Sequence, residues 1–299
     1  MYETFATLVQ KLIYNTCGST NLMCGLLPIL SADSILRIRD IIKRRAGEES
    51  TINFHYEGDD VQEAIKILFS LKYNKGFRWS LIPHTTFSLL VYNHLYFDGR
   101  VRAEIENLFR QCIVNESFVC SGDVISIDRI SMEDLRNIAN LNSVSVSALM
   151  TAAAVYATGL LPSFLIHLPV DCINDFYGSC LPRSEDVQVI ERALIKAKRN
   201  PLRDDRRLST ILRLLPGRLS CKLIGFKCEK NIVIISFSPC SMPGVADQTS
   251  DKYSWVYLSI LKNGILSVYV PPWFSDKFKA SQVVARVKCF ICKMSDVAR

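Results

Sequence analysis

The chain has 299 residues, of which 49% are hydrophobic, and a formal net charge of +7 at pH 7. These values are typical of a globular protein with a sizeable buried core, arranged as one large domain or two modest ones. No apolar run is long enough to span a bilayer, and the residues from Met1 to Thr4 lack the basic lead and apolar core of a secretion signal, so we expect a cytoplasmic protein without a transmembrane segment.

Hydrophobic periodicity predicts alternating helices and strands in the first part of the chain. Ser31 or Ser34 can cap the second of these helices, and the third is expected to begin at Asp59 or Asp60. The elements expected there are a helix from Tyr2 to about Cys17, a strand from Leu22 to Leu27, a helix from Ala32 to Arg45, a strand from Thr51 to Tyr56, a helix ending near Leu71, a hairpin of the strands Phe77 to Leu81 and Phe87 to Tyr92, and a helix from Val101 to Ile113.

The second part of the chain begins with a crossover from Asn115 to Asp128 and a helix capped by Ser131. Small side chains at Ala148, Ala152 and Ala153 predict a helix that packs closely against another element. The later elements are a helix from Val146 to Thr158, a strand from Phe164 to Val170, helices from Ser184 to Lys198 and Leu208 to Leu215, a strand from Asn231 to Phe237, a hairpin of Trp255 to Leu261 and Ile265 to Val270 around Lys262-Asn263-Gly264, and a helix from Ser281 to Lys293.

One pattern occurs twice. Phe87 to Leu108 and Ile265 to Val287 both run as strand, short loop, Asp and helix. A histidine follows the strand only in the first copy. We therefore predict an α/β protein of two related half-domains, residues 1–125 and 126–299, with a cleft between them that has a single reactive side.

The first copy contains the motif His94-x-x-x-Asp98-Gly99 directly after an apolar strand. A neutral imidazole is the usual general base near pH 7. Asp98, beside a glycine that tolerates positive φ, is suited to fixing the loop. The alternative is a hydrogen-bonded structural histidine followed by an ordinary Asp-Gly turn.

Charge and cysteines add two further expectations. Nine basic and two acidic residues lie between Arg192 and Arg218. This segment is either a solvated helix and loop or a platform for phosphates or an acidic carrier protein, and no nucleic-acid motif accompanies it.

The eleven cysteines are odd in number and lack framework spacing, which indicates reduced thiols. Cys289 and Cys292 lack further ligands at zinc spacing, so we expect core cysteines there and no metal site.

The order of features resembles the chloramphenicol-acetyltransferase-like superfamily, in the two-half form of nonribosomal peptide condensation domains and alcohol acyltransferases. The resemblance is carried by Asn93 to Gly99, Met132 to Thr158, the strand His167 to Asp171 and the segment Ser236 to Gly244. It covers nearly the whole chain. It implies an α+β sandwich of two pseudo-repeated halves around a cleft.

Three departures from the superfamily pattern stand out. The motif there is His-His-x-x-x-Asp-Gly with the second His as base, so Asn93 replaces the first His and His94 takes the catalytic position. The Asp-Phe-Gly-Trp-Gly signature is absent, with only Pro243 to Asp247 in that region. The arginine that often follows the Pro-Val-Asp strand is also absent. In the family the motif aspartate is structural, which agrees with the expected role of Asp98.

The resemblance implies acyl transfer from a thioester to an alcohol or amine, with His94 as general base. Ser236 is the expected oxyanion donor and Ser238 the second candidate, although both are also ordinary strand-end serines. Acyl-coenzyme A is the expected co-substrate of a monomeric enzyme without a permanently bound cofactor, and an acyl carrier protein is the other donor. The rival hypotheses are a non-catalytic binding module and a thioesterase-like hydrolase.

Overall fold

The computed structural model describes residues 22–71, 73, 76–93, 106–108, 120–167, 176–198, 231–238, 242–246, 255–261 and 263–297. The helices expected from Tyr2 to Cys17 and from Leu208 to Leu215 lie outside these residues, as does most of the helix expected after Gly99. The described strands are β1 Leu22–Leu27, β2 Trp79–Pro83, β3 Ser88–Asn93, β4 Ile125–Arg129, β5 Leu161–His167, β6 Phe176–Cys180, β7 Ile232–Ser238, β8 Gly244–Ala246, β9 Trp255–Leu261 and β10 Ile265–Tyr269.

Six α-helices with defined bounds accompany these strands, and the described residues 106–108 are also helical. The six helices are α1 Ala32–Ala46, α2 Val61–Ser70, α3 Met132–Leu141, α4 Val146–Thr158, α5 Val187–Lys198 and α6 Ala280–Val297. Serine or aspartate side chains cap α1 to α4 by accepting a hydrogen bond from a first-turn backbone N–H. Among the two pairs of alternatives, the caps are Ser31 and Asp60.

The first sheet has the order β2-β3-β1-β8. β3 is antiparallel to both of its neighbours and is buried along its whole length. Leu90 and Tyr92 pack with α1 on one face, while Leu89 and Val91 pack with α2 on the other. This apolar strand is therefore covered on both faces.

β8 completes this first sheet although it follows β7 in the chain. It pairs antiparallel with β1, Gly244 lying opposite Gly25. The missing side chain at Gly25 makes room for Met242, because a Cβ at Gly25 would lie 2.5 Å from the Met242 Cε atom. The first sheet therefore needs a strand from the second part of the chain.

The second sheet has the order β4-β10-β9-β7-β5-β6. β5, β7 and β9 are parallel neighbours, and the other pairs are antiparallel. One face is covered by α4 and α6, where buried alanines of α4 allow close helix packing, as predicted. The other face contributes Ile125, Ile127, Leu261, Ile265 and Tyr269 to the same core cluster as β1, β3 and α2. We call this shared surface the seam.

A glutamine on α2 joins this helix to the second sheet at the seam. The side-chain oxygen of Gln62 accepts hydrogen bonds from the backbone N–H groups of Val124 and Ile125 at 3.1 and 2.7 Å. Its amide nitrogen donates to the Ile125 carbonyl at 2.8 Å. This one side chain therefore binds the start of β4 as another strand would.

The two sheets repeat one arrangement. In each, a first strand leads into a serine-capped helix and a later hairpin returns its second strand antiparallel to the first. Leu22 lies opposite Asn93 in one copy, and Ile125 lies opposite Tyr269 in the other. The expected two-half α/β architecture is confirmed. The division at residue 125 stays a prediction.

The strand expected from Thr51 to Tyr56 is wrong, since this segment is irregular. Ser50 N–H reaches the Trp79 carbonyl at 2.8 Å, but Glu49 then occupies the edge of β2 with its carboxylate. Beyond that point the chain diverges, and a pocket of about 360 Å³ separates it from Ser80 to Pro83. A strand needs paired backbone groups, and Pro83 offers no N–H.

The expectation of core cysteines at Cys289 and Cys292 is also wrong, because both are exposed. The inner face of α6 is formed by Val283, Val287 and Phe290. Positions 289 and 292 fall on the opposite side of the helix.

In the described residues no single helix is long and apolar enough to cross a membrane, and the pair α3 and α4, bent by 95°, meets that requirement only by length and composition.

Candidate functional site

The described part of β3 ends at Asn93, one residue before the proposed general base. His94, Asp98 and Gly99 lie outside the described residues, so their roles stay predictions. The strand that precedes them in the chain, β3, is described. It is the buried second strand of the β2–β3 hairpin, in which Trp79 lies opposite Tyr92. The expected hairpin of these two strands is confirmed, and it places Trp79 beside the strand that precedes His94.

Asn93 ties the end of β3 to the start of β2. Its backbone N–H donates to the Arg78 carbonyl at 2.8 Å, and its side-chain amide donates to the Phe77 carbonyl at 3.3 Å. The residue is only 8% exposed. A buried amide in such a position is stabilising only while it is hydrogen-bonded. The residue that replaces the first histidine of the motif therefore anchors the strand end.

Ser236 lies on β7, the strand expected to carry it, and is 5% exposed. Its hydroxyl lies 3.0 Å from the Tyr257 hydroxyl and 3.2 Å from the Ser259 hydroxyl, within hydrogen-bond distance of both. Since a serine has one hydroxyl hydrogen, Ser236 donates to one of these two oxygens at a time and can accept from the other group. Ser238, two residues further along β7, lies on the same face of the strand.

Buried serines form a row across the middle of the second sheet. Ser236, Ser259 and Ser267 lie opposite one another on β7, β9 and β10, and all three are buried. On the sheet face turned toward the seam, these serines lie beside the side chains two positions away along the same strands, Tyr257, Leu261 and Tyr269. Three hydroxyls in an otherwise apolar layer can donate or accept hydrogen bonds without carrying a charge.

The sequence reasoning did not find Tyr257, Ser259 or Ser267. A signal was present, because each strand of the predicted hairpin from Trp255 to Val270 carries one serine at its centre among apolar residues. The register that aligns these serines with Ser236 depends on the parallel pairing of β7 with β9. Strands so far apart in sequence cannot be aligned from local patterns.

Cys120 is a half-buried thiol that packs against the seam cluster. Burial raises its pKa to about 11, with a smaller opposing effect from its hydrogen bond to Ile127. It is therefore protonated near neutral pH and is not a ready nucleophile. No group of three or more His, Cys, Asp and Glu side chains able to hold a metal ion occurs in the described ranges.

Two surface pockets lie away from the serine row, along the outer edge of β2. The first, of about 360 Å³, contains the ion pair of Arg39 and Glu49. The second, of about 400 Å³, is lined by Tyr56, Pro83 and His84. The His84 ring stacks on Phe87 with centroids 4.5 Å apart, which accounts for this histidine structurally.

Comparison with solved structures places this architecture among condensation domains. The condensation domain of the monacolin K polyketide synthase MokA aligns over 98% of this chain and 96% of its own, with 10% identity and a TM-score of 0.53. The first condensation domain of the calcium-dependent antibiotic synthetase aligns over 99% and 95%, with 8% identity and a TM-score of 0.54. The epimerization domain of the third module of tyrocidine synthetase B aligns over 98% and 96%, with 10% identity and a TM-score of 0.51.

No protein-family model and no curated protein matches the chain. The structural similarity nevertheless extends over nearly the whole chain. The protein therefore has the two-half, chloramphenicol-acetyltransferase-like fold of condensation domains. The expectation of this fold from the sequence is confirmed.

Proposed function

We propose that this protein is an acyltransferase that moves an acyl group from a thioester to an alcohol or an amine. His94 accepts the proton of the acceptor as the acceptor attacks the thioester carbon, and returns that proton to the departing thiolate. The carbonyl carbon gains the bond to the acceptor and loses the bond to sulfur. The reaction is direct, without an acyl-enzyme intermediate.

The observation that carries this proposal is the anchoring of β3 directly before the motif. A general base must be held within hydrogen-bond reach of the proton that it removes. β3 is buried along its length, and its last residue, Asn93, donates hydrogen bonds to the backbone carbonyls of Arg78 and Phe77. The similarity of the fold to condensation domains supports the same reading, since condensation is itself the joining of two substrates.

The oxyanion formed on the thioester carbonyl needs a hydrogen-bond donor, and we assign this role to Ser236 with Ser238 as the alternative. Ser236 faces the seam within the serine row and shares hydrogen bonds with Tyr257 and Ser259. For it to donate to substrate, its hydroxyl hydrogen must turn away from both Tyr257 and Ser259. A hydroxyl rotor can do so without moving its oxygen.

Coenzyme A and an acyl carrier protein both present the acyl group on an anionic carrier. The basic segment from Arg192 to Arg218 is the proposed contact, and two of its basic residues, Arg192 and Lys196, lie on the described α5. An electrostatic contact weakens as salt screens it. Binding of acyl-coenzyme A that does not weaken between low and high salt would contradict this assignment.

The decisive experiment is His94→Ala in an assay of thiol release from a panel of acyl-coenzyme A compounds, with and without alcohol or amine acceptors. We expect acceptor-dependent release by the parent and a loss well above tenfold in the variant. His55→Ala is the matched control, because the side chain of His55 is 85% exposed and pairs only with Glu57 among the contacts described for it. Equal turnover by parent and His94→Ala would refute the general-base assignment.

A second candidate function is a binding module that keeps the fold without the reaction. The observation in its favour is that Ser236 already has hydrogen-bond partners in Tyr257 and Ser259, as expected of a structural serine. Absence of thiol release from every acyl-coenzyme A compound, together with tight binding of a carrier protein, would favour the module. Release that needs no acceptor would indicate a thioesterase-like hydrolase.

A further inference from the structure

Two reduced, exposed cysteines lie three residues apart on α6, on the side turned to solvent. Cys289 and Cys292 share one helix face, since residues separated by three positions are neighbours on a helix surface. Val287, Phe290 and Ile291 are buried on the opposite face and fix the rotation of the helix about its axis. The two thiols are therefore presented together by a rigid element.

The helical spacing opposes a disulfide between these thiols. Side chains three residues apart on a helix have Cβ atoms about 5–6 Å apart. A relaxed disulfide needs roughly 3.5–4.5 Å between the same atoms. Closing the bond would therefore distort a helix whose inner face is packed. The same spacing suits two sulfur atoms that each lie roughly 2.3 Å from one ion, a typical metal–sulfur distance.

Few ions are satisfied by two ligands. Zinc in proteins is almost always bound by four ligands or by three and a water. No third His, Cys, Asp or Glu joins these cysteines in a metal-binding group within the described ranges. Thiolates select soft ions, of which Cu(I) is the physiological example that needs few ligands. The ligand count and the softness of sulfur together point to a monovalent copper ion.

The charges around the two thiols suit the complex that would form. Binding of one Cu⁺ replaces two thiol protons, so the occupied site carries one negative charge. Lys293 follows Cys292 directly and donates to the Tyr156 hydroxyl at 2.7 Å, with its ammonium 4.7 Å from the centre of the Tyr156 ring.

The neighbouring cations are held in place. Lys288 binds the Asp128 carboxylate, and Arg286 donates to the Ala157 carbonyl at 3.2 Å. These contacts join α6 to β4 and to α4. The helix face that carries the thiols is thus fixed by contacts on both sides, and the Lys293 ammonium beside Cys292 attracts an anionic thiolate complex.

We propose that Cys289 and Cys292 form a two-coordinate binding site for Cu(I) on the outer face of α6. The site is independent of the acyl-transfer proposal. It lies on the helix-covered face of the second sheet, whereas the serine row lies on the seam face.

The test is a competition titration of the reduced full-length chain with Cu(I) held by the chromophoric chelator bicinchoninate. We expect one tightly bound Cu(I) that is absent from the Cys289→Ser and Cys292→Ser variants. The affinity should fall by more than about 100-fold, beyond the roughly 10- to 100-fold loss typical of removing a supporting neighbour. Because the chain has eleven cysteines, the measured quantity is the difference from the parent.

Two controls keep the result specific. Cys120→Ser removes a half-buried thiol elsewhere and should leave the tight site intact. The pair Cys292→Ser with Asp296→Cys keeps the number of thiols but separates them by seven positions, about 10 Å along the helix, and should lose the site. Parent-like Cu(I) affinity in this displaced variant, or no tight site in the parent, would overturn the proposal. Circular dichroism checks that each variant is folded.

Discussion

Asn93 and Phe77 are joined by a hydrogen bond of 3.3 Å from the side-chain amide of Asn93 to the backbone carbonyl of Phe77. The bond lies inside the first sheet and links the last residue of β3 to the segment that precedes β2. His94 follows immediately in the chain. The position at which the motif begins is thus defined by a buried polar contact as well as by strand pairing.

Asn93→Ala should therefore reduce both stability and turnover. It removes a buried hydrogen bond and leaves the Phe77 carbonyl without this donor, at an expected cost of about 1–3 kcal/mol in the free energy of unfolding. Urea unfolding measures this cost. Asn137→Ala, at an exposed position of α3, is the control and should change stability by less than about 0.5 kcal/mol.

The effect of Asn93 on His94 needs a separate readout. If Asn93 positions the base, Asn93→Ala should lower kcat more than it raises KM at a temperature where the variant remains folded. Asn93→His, which restores the first histidine of the motif, should recover part of kcat. Unchanged kcat in folded Asn93→Ala would limit Asn93 to a role in stability.

Glu49 provides a second prediction, because its carboxylate covers the edge of β2. It accepts from the Leu81 backbone N–H at 2.7 Å and pairs with the Arg39 Nε atom at 2.9 Å. Glu49→Ala should cost about 1.5–3 kcal/mol, as expected for a hydrogen bond to a charged group. It should also promote self-association through the uncovered strand edge, which light scattering would detect.

Glu48→Ala is the matched control for Glu49. The Glu48 side chain is 78% exposed and forms a surface ion pair with Lys43. Such pairs contribute between about 0 and 1 kcal/mol. The neighbouring glutamates should therefore differ clearly in urea unfolding, and equal effects would contradict the edge-covering role of Glu49.

Ser236 and Ser238 make competing predictions for the reaction. If Ser236 donates to the oxyanion, Ser236→Ala should lower kcat by about a hundredfold or more with little change in KM, whereas Ser238→Ala should have a much smaller effect. Steady-state kinetics with one acyl-coenzyme A compound distinguishes them. A large loss only in Ser238→Ala would transfer the role to Ser238.

Asp128 predicts a pH dependence of stability. The hydrogen bond from Lys288 lowers the pKa of its carboxyl group against the opposing effect of burial. Because the folded pKa lies below the unfolded value of about 3.9, the stabilisation is fully present above that value and is lost as the pH falls through the folded pKa. The side chains of Lys288 and Asp128 are 40% and 39% exposed, so the contribution should not exceed roughly 1 kcal/mol.

Asp128→Asn tests this directly. The variant should be less stable than the parent at pH 7, and the difference should disappear as the pH falls through the lowered pKa of folded Asp128. Lys288→Met and the double variant complete a cycle that isolates the pair energy. A difference that stays constant from pH 7 to pH 2 would show that the ion pair is not its origin.

Most long elements could be predicted because local pattern determines them. The helix Val146–Thr158 and the strand Trp255–Leu261 have the predicted bounds, since continuous apolar runs ended by turn residues leave little choice. β4, β6 and β8 were missed. β8 has three residues, and it is a strand because β1 lies beside it. Nothing in its own sequence indicates that partner.

The candidate site also has features that the sequence could predict and others that it could not. Ser236 could be placed on its strand from the apolar pattern of Ile232–Ser238. Its contacts with Tyr257 and Ser259 could not, because they depend on the alignment of strands more than twenty residues apart. The anchoring role of Asn93 was likewise hidden, since the sequence identifies it only as a departure from a motif. The catalytic role of His94 stays a prediction.

The placement of β8 limits how this protein could be divided or opened. A fragment that stops at residue 125 would lack the strand that covers the outer side of β1, and its Gly25 would lose the Met242 side chain that fills the space above it. Isolated halves should therefore be poorly autonomous and recover structure only by complementation. The same strand limits how far the two sheets can separate at the seam. If they moved apart, β8 would either have to move together with β1 or lose its pairing with β1.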